Sequence, residues 1–179
     1  MSGGAQADPP LRALFWAAIG RWLFRWTLRN WHRPRRLLVR LSGARVTSRT
    51  KMLRTVRIDR PWNLTAGNLT VLGEHAVLRA RRPISIGDRC VISQLVVLTT
   101  EQRDPEVEGA PAVAAPITIE DDVWVAADTL VLPGARIGAG AVVGARSMVS
   151  GELPPWQIAA GEPAVPRRPR HLRPAEAGP

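Results

Sequence analysis

From Ile119 the chain divides without remainder into six-residue units: IEDDVW, VAADTL, VLPGAR, IGAGAV, VGARSM and VSGELP. The first position holds Ile119, Val125, Val131, Ile137, Val143 and Val149, and the fifth holds Val123, Thr129, Ala135, Ala141, Ser147 and Leu153. A period of six matches neither a helix nor one long strand. It requires a chain that bends after each short strand and returns to the same face. Gly138 and Gly144 at the second position, with Gly134 and Gly140 at the fourth, supply the backbone freedom expected of such bends.

The same spacing runs upstream through Val46, Met52, Ile58 and Leu64, then Ala66, Leu72, Leu78 and Ile84, then Ile86, Ile92 and Leu98. Each slip, Leu64 to Ala66 and Ile84 to Ile86, is of two residues, so both side chains stay on one face of a strand. Three hexads make a triangular coil, and about five coils stack between Val46 and Pro154, each burying its neighbour. The expected fold is therefore all-β, a parallel β-helix. Cys90 occupies a small inward fifth position and reads as core. As the sole cysteine it excludes an internal disulfide, and no Cys/His cluster has the spacing of a zinc site, so no metal is expected.

The 179 residues, 45% hydrophobic, suffice for one such domain with extensions. Three regions follow: a basic, Trp-rich N-terminal segment over 1–45, the coils over 46–154 with a loop at 99–116, and a Pro- and Arg-rich tail over 155–179. Residues 1–60 hold 14 of the 25 Lys and Arg but only two acids, Asp8 and Asp59. Such charge attracts nucleic acid, anionic lipid or an acidic subunit. No nucleic-acid motif accompanies it, so nucleic acid is not an expected partner. An amphipathic helix is predicted from Leu11 to Trp31, broken near Pro34. Leu11, Phe15, Ile19, Trp22 and Trp26 cluster on one side, with Arg21, Arg25 and Arg29 as a stripe. Two readings stand: a helix packed on the domain with solvated arginines, or a peripheral membrane contact. With no apolar run of 18 residues and no signal peptide, the expected location is the cytoplasm, with membrane association resting on that helix.

The stretches RPWNLTAGNLTVLGEH, PISIGDRCVISQ and ITIEDDVWVAADTLVLPGARIGAGAVVGARSMVSGELPPWQIAAGEPA resemble the hexapeptide-repeat acyltransferases, and among them the colanic-acid-biosynthesis type of O-acetyltransferase. The resemblance covers roughly Val46 to Arg168. It implies a left-handed β-helix, a homotrimer, acetyl-CoA lying in the groove between neighbouring β-helices, and transfer of an acetyl group to a saccharide hydroxyl, as in surface polysaccharide biosynthesis. Trp124 matches the tryptophan beside the pantetheine arm, and Ala127 and Ala145 match positions whose backbone groups hydrogen-bond that arm. Ser150 matches a contact nearer the nucleotide, and Arg168 a basic residue near its phosphates. Two basic positions of the family are held here by Gly151 and Val165.

The resemblance also implies a histidine base in the loop after ISQ, Ile92 to Gln94. Histidine suits that role because it titrates near neutrality. Here the stretch reads TEQRD, with Arg103 in the place of the histidine and Asp104 after it. Arginine stays protonated in a protein and cannot be the base. Arg79 and Ala80 likewise replace a polar Tyr-Asn pair. Three readings remain open: Glu101 or Asp104 serves as the base while Arg103 binds an anionic acceptor; His75 or His171 of a neighbouring copy reaches the site; or the chain is a catalytically degenerate relative that binds CoA or acts as an interaction scaffold.

Overall fold

The computed structural model describes residues 8–27, 31–103 and 112–172. Short strands form the three faces of a left-handed parallel β-helix of about five coils. In the fourth coil, Ile117–Ile119 lies on the first face, Trp124–Val125 on the second and Leu130–Val131 on the third. Each pairs in parallel with its counterparts one coil before and after. First-position side chains such as Leu72, Ile92, Val125 and Val143 are buried in the shared core. Both two-residue slips behave as expected: Leu64–Ala66 and Ile84–Ile86 each bury both ends and expose the middle residue.

Coils are joined by N–H groups that donate to first-position carbonyls of the next coil. Gly73 donates to Ile92 at 2.7 Å, Ser93 to Val125 at 2.9 Å, and Ala126 to Val143 at 2.9 Å. Fifth-position hydroxyls add inward bonds of the same sense, Thr50 to the Gly67 carbonyl and Thr70 to that of Gly87. Cys90 fits the same column, fully buried with its Sγ 2.9 Å from the Glu120 carbonyl.

The glycines divide into two roles that the hexads alone do not separate. Fourth-position residues are left-handed whether or not they are glycine: Gly134 and Gly140 share that region with Leu69, Asp122, Asp128 and Arg146. Second-position Gly138 is not left-handed. A Cβ there would lie 2.5 Å from the Pro155 nitrogen, so it serves the close approach of coils, not the bend.

The first coil has no preceding coil to donate to it, and the N-terminal segment fills that place. The first-position carbonyls of Val46, Met52 and Ile58 accept from Arg40 Nε (2.7 Å), Arg35 Nη1 (2.7 Å) and Trp16 Nε1 (2.9 Å), one on each face. Arg36 Nη1 donates to the Thr50 carbonyl at 3.1 Å, and the His32 ring lies 3.2 Å from that of Met52. A strand edge left bare invites pairing with another chain; these donors close it.

The helix differs from the sequence expectation. It runs through Pro10–Phe15, a π turn at Trp16–Gly20 and Arg21–Trp26, and a second helix covers His32–Leu41. Pro34 lies in the first turn of that helix, where its missing N–H would have had no partner. The buried stripe is Trp16, Gly20 and Phe24, whereas Leu11, Ile19, Trp22 and Trp26 of the expected apolar side are exposed. Arg29 lies outside the described residues. In the tail, Gln157–Gly161 and Ala164–Pro169 pair antiparallel and extend the second face beyond the last coil.

Arg35 is fully buried and also donates to Thr27 Oγ1 at 2.6 Å. Arg35→Met is expected to leave the buried Thr27 hydroxyl without its charged donor and the Met52 carbonyl with His32 alone, and to lower unfolding stability by on the order of 2–4 kcal/mol. Exposed Arg33→Met in the same helix should change little, as read from urea unfolding midpoints. Equal effects of the two substitutions would contradict the capping role.

Candidate active site

The loop springs from the corner between the third and first faces. Thr100 anchors its base: the hydroxyl donates to the Arg79 carbonyl at 2.9 Å and accepts from the Arg82 N–H at 2.9 Å. Glu101–Gln102 and Val113–Ala114 then pair antiparallel as the two arms of the loop. Asp59, Arg79, Arg81, Thr99, Glu101 and Arg103 help line a cleft of about 230 Å³ at this base. Glu101 Oε1 lies 3.6 Å from Arg81 Nη1, and Arg103 is exposed. Asp104 lies outside the described residues. Ala80 is fully buried, so of the Arg79–Ala80 pair only Arg79 lines the cleft.

Trp124, Ala127 and Ala145 sit elsewhere, along the second face and the corner that follows it. Trp124 is 48% exposed and donates its indole N–H to Ser93 Oγ at 3.0 Å, which ties the ring to the coil before. Third-position N–H groups there differ from those at the preceding corner. Between the first and second faces, Asn68, Asp88 and Ala139 donate theirs to Asp88, Asp121 and Glu120 carboxylates at 2.6, 2.8 and 2.8 Å. The equivalent N–H groups of Ala127 and Ala145 have no acceptor among the described residues. The carbonyl of Ala127 is taken, by the Arg146 N–H at 3.0 Å. The result is a file of open donors beside a partly exposed indole, a surface matched to the amide carbonyls of an extended ligand.

Ser150 is exposed on the loop's side of the third face, at the corner after Met148–Val149. Arg168 is exposed on the terminal strand, opposite Ile158. Its neighbours are committed elsewhere: Arg170 Nη1 donates to the Asp122 and Gly140 carbonyls at 2.8 Å, and Arg167 Nε to that of Ala160 at 3.2 Å. Gly151 is left-handed with open space around it, a position that a lysine or arginine would occupy only under strain.

Within one chain the structure does not bring these two sets together. From Gln94 on one corner to Glu101 on the other is a third-face strand with its flanks, roughly 20 Å at about 3.3 Å per residue. None of the three histidines enters the loop cleft: His32 caps Met52, His75 lines a separate cleft with Arg25, Arg54 and Arg57, and His171 is exposed at the tail. Sequence reasoning does not find Arg81 as the partner of Glu101 or Ser93 as the partner of Trp124. The serine lies within the quoted ISQ, but its hydrogen bond crosses coils, and only the stacking register reveals that.

The family model described as bacterial transferase hexapeptide (six repeats) matches residues 116–151. The "Putative colanic acid biosynthesis acetyltransferase WcaF" of Escherichia coli K12 is 35% identical over 167 residues, covering 93% of this chain and 92% of that protein. The chain belongs to the hexapeptide-repeat acetyltransferase family. Among solved structures, a hexapeptide-repeat acetyltransferase of Vibrio cholerae O1 biovar eltor complexed with acetyl coenzyme A has a TM-score of 0.81 at 24% identity, covering 93% of this chain and 92% of that one. A maltose O-acetyltransferase from Clostridium difficile 630 has a TM-score of 0.80 at 21% identity, covering 94% and 91%.

Burial pushes the Cys90 thiol up to about 11. A disulfide-exchange thiol reagent near neutral pH should therefore leave the folded chain unlabelled and react with one thiol per chain after denaturation. Rapid labelling of the folded protein would contradict the core assignment of Cys90.

Proposed function

We propose that this chain transfers an acetyl group from acetyl-CoA to a saccharide hydroxyl, in the cytoplasm and in the service of surface polysaccharide biosynthesis. It does so as a homotrimer whose grooves lie between copies. The observation that carries this reading is the file of open N–H donors at Ala127 and Ala145 beside Trp124. These would donate to the pantetheine amide carbonyls while the indole packs along the arm. Ser150 lies nearer the nucleotide, and Arg168 offers its guanidinium to the phosphates, a charge-assisted contact of the stronger kind. The reading extends to peripheral contact of the N-terminal helix with a membrane, supported by that helix's exposed apolar residues.

In the transfer, the acceptor oxygen bonds to the thioester carbonyl carbon, the C–S bond breaks, and CoA leaves as the thiol. The hydroxyl proton passes to a base and from it to the departing sulfur. Glu101 and Asp104 are the carboxylates assigned to that proton. Arg103, permanently charged, holds an anionic group of the acceptor.

Calorimetry with CoA and thiol release from acetyl-CoA on the same preparation test the proposal. Binding is expected, with saccharide-dependent thiol release that does not require Arg103→His. Its pH profile should lack the inflection near about pH 6.5 that a histidine base produces. Removing the acting carboxylate, by Glu101→Gln or Asp104→Asn, should slow release by roughly 10²-fold or more. Binding without release, with activity appearing only in Arg103→His, would establish the degenerate reading, and no CoA binding would remove both.

A further inference from the structure

The N-terminal helix carries two apolar stripes, and the β-helix uses only one. Trp16 and Phe24 are 3% and 2% exposed, packed edge to face above the first coil. On the opposite side Leu11, Trp22 and Trp26 are 82%, 59% and 71% exposed, joined by Leu14 and Ile19. The Trp22 and Trp26 rings lie 5.2 Å apart, forming one aromatic step. Leaving five large apolar side chains in water on one helix is costly, and burial would recover part of that cost for each of them.

Among the described residues, the charge around this stripe is mostly positive. Arg21, Arg25, Arg57 and Arg79 help line a groove of about 910 Å³ between the helix and the third face, to which Trp22 and Trp26 also contribute. Its one carboxylate, Asp59, is bound by Arg60 Nη1 at 2.8 Å and accepts the Ala80 N–H at 2.7 Å. Asp8, the other acid of the first 60 residues, is bound by Arg60 Nε at 3.1 Å. A second cleft, lined by Arg25, Arg54, Thr55, Arg57 and His75, contains no acid. The surface thus joins an apolar, tryptophan-rich ridge to a row of guanidiniums whose nearby carboxylates are already occupied.

We infer that the exposed stripe Leu11, Leu14, Ile19, Trp22 and Trp26 docks in the interface of an anionic phospholipid bilayer, with Arg21, Arg25 and Arg57 on the lipid phosphates. Tryptophan suits the boundary between headgroup and acyl chain, and each arginine adds attraction to an anionic leaflet. No helix of the described residues is long and apolar enough to cross a membrane, so the helix lies in the plane of the surface. A second copy is the weaker occupant, because an isologous contact would set these arginines against their own duplicates. The inference rests on the peripheral contact named above, adding its lipid class and docking face, and is independent of acetyl transfer.

Flotation of the full chain with vesicles of phosphatidylcholine, alone or mixed with phosphatidylglycerol, tests it. The chain should float with the mixed vesicles, in an amount that falls as salt rises. The double substitution Trp22→Ser, Trp26→Ser should reduce binding by about tenfold or more while thermal melting and thiol release with a water-soluble acceptor stay unchanged. Arg21→Gln with Arg25→Gln should weaken binding and flatten its salt dependence. Equal binding to both vesicle types would overturn the anionic assignment and leave a membrane contact standing. No binding to either would overturn both. Self-association abolished by the tryptophan substitutions, without flotation, would assign the face to a second copy.

Discussion

A coil of three two-residue strands has no interior of its own, and it persists only because each coil's first-position carbonyls receive N–H donors from the coil before. Everything else in this protein answers to that requirement. In the middle of the stack it is met by repetition, which is why the hexads run unbroken from Ile119 to Pro154. At the first coil it is met by Arg40, Arg35 and Trp16, one donor to each face. Part of the basic charge of the N-terminal third is thus the means by which the stack is closed. At the other end, Ala164–Pro169 folds back on Gln157–Gly161 and covers the second face.

The same requirement shapes the site. At the two corners that flank the second face, a non-proline third position leaves an N–H that the ladder does not use. Between the first and second faces, carboxylates of neighbouring coils satisfy it at Asn68, Asp88 and Ala139. At the next corner alanine stands in that position at Ala127 and Ala145, offering no carboxylate to its neighbour, so the donors remain available. The proposed ligand surface is a place where the scaffold withholds its own capping. Trp124 beside it is fixed by Ser93 from the coil before, so the packing of coils sets the position of the indole.

The faces, the two-residue slips and the inward place of Cys90 were legible because each depends on spacing along the chain alone. The helix was not. Its residues are apolar on two sides, and a periodicity argument ranks Leu11, Ile19, Trp22 and Trp26 first, although the π turn and the fit of Trp16 over Gly20 select the other stripe. The antiparallel strands of the tail escaped notice because proline and arginine dominate the composition there, and the arms of the loop because Glu101–Gln102 and Val113–Ala114 are far apart in sequence. At the candidate site, the residues were named from family resemblance. The partners of Glu101 and Trp124 were not, since Arg81 and Ser93 reach them only through the register of stacked coils.

The site's two halves lie on different corners of one chain, separated by a face of the β-helix. On this account a working groove takes its open donors and Trp124 from one copy and its loop, with Glu101 and Arg103, from the next. Mixing Trp124→Ala chains with chains that lack the acting carboxylate, Glu101→Gln or Asp104→Asn, each impaired alone, within one trimer tests this most directly, with thiol release as the readout. The account predicts that mixed trimers recover activity, since random mixing makes roughly a quarter of the grooves intact. Mixed trimers that form and remain as inactive as either parent would contradict it.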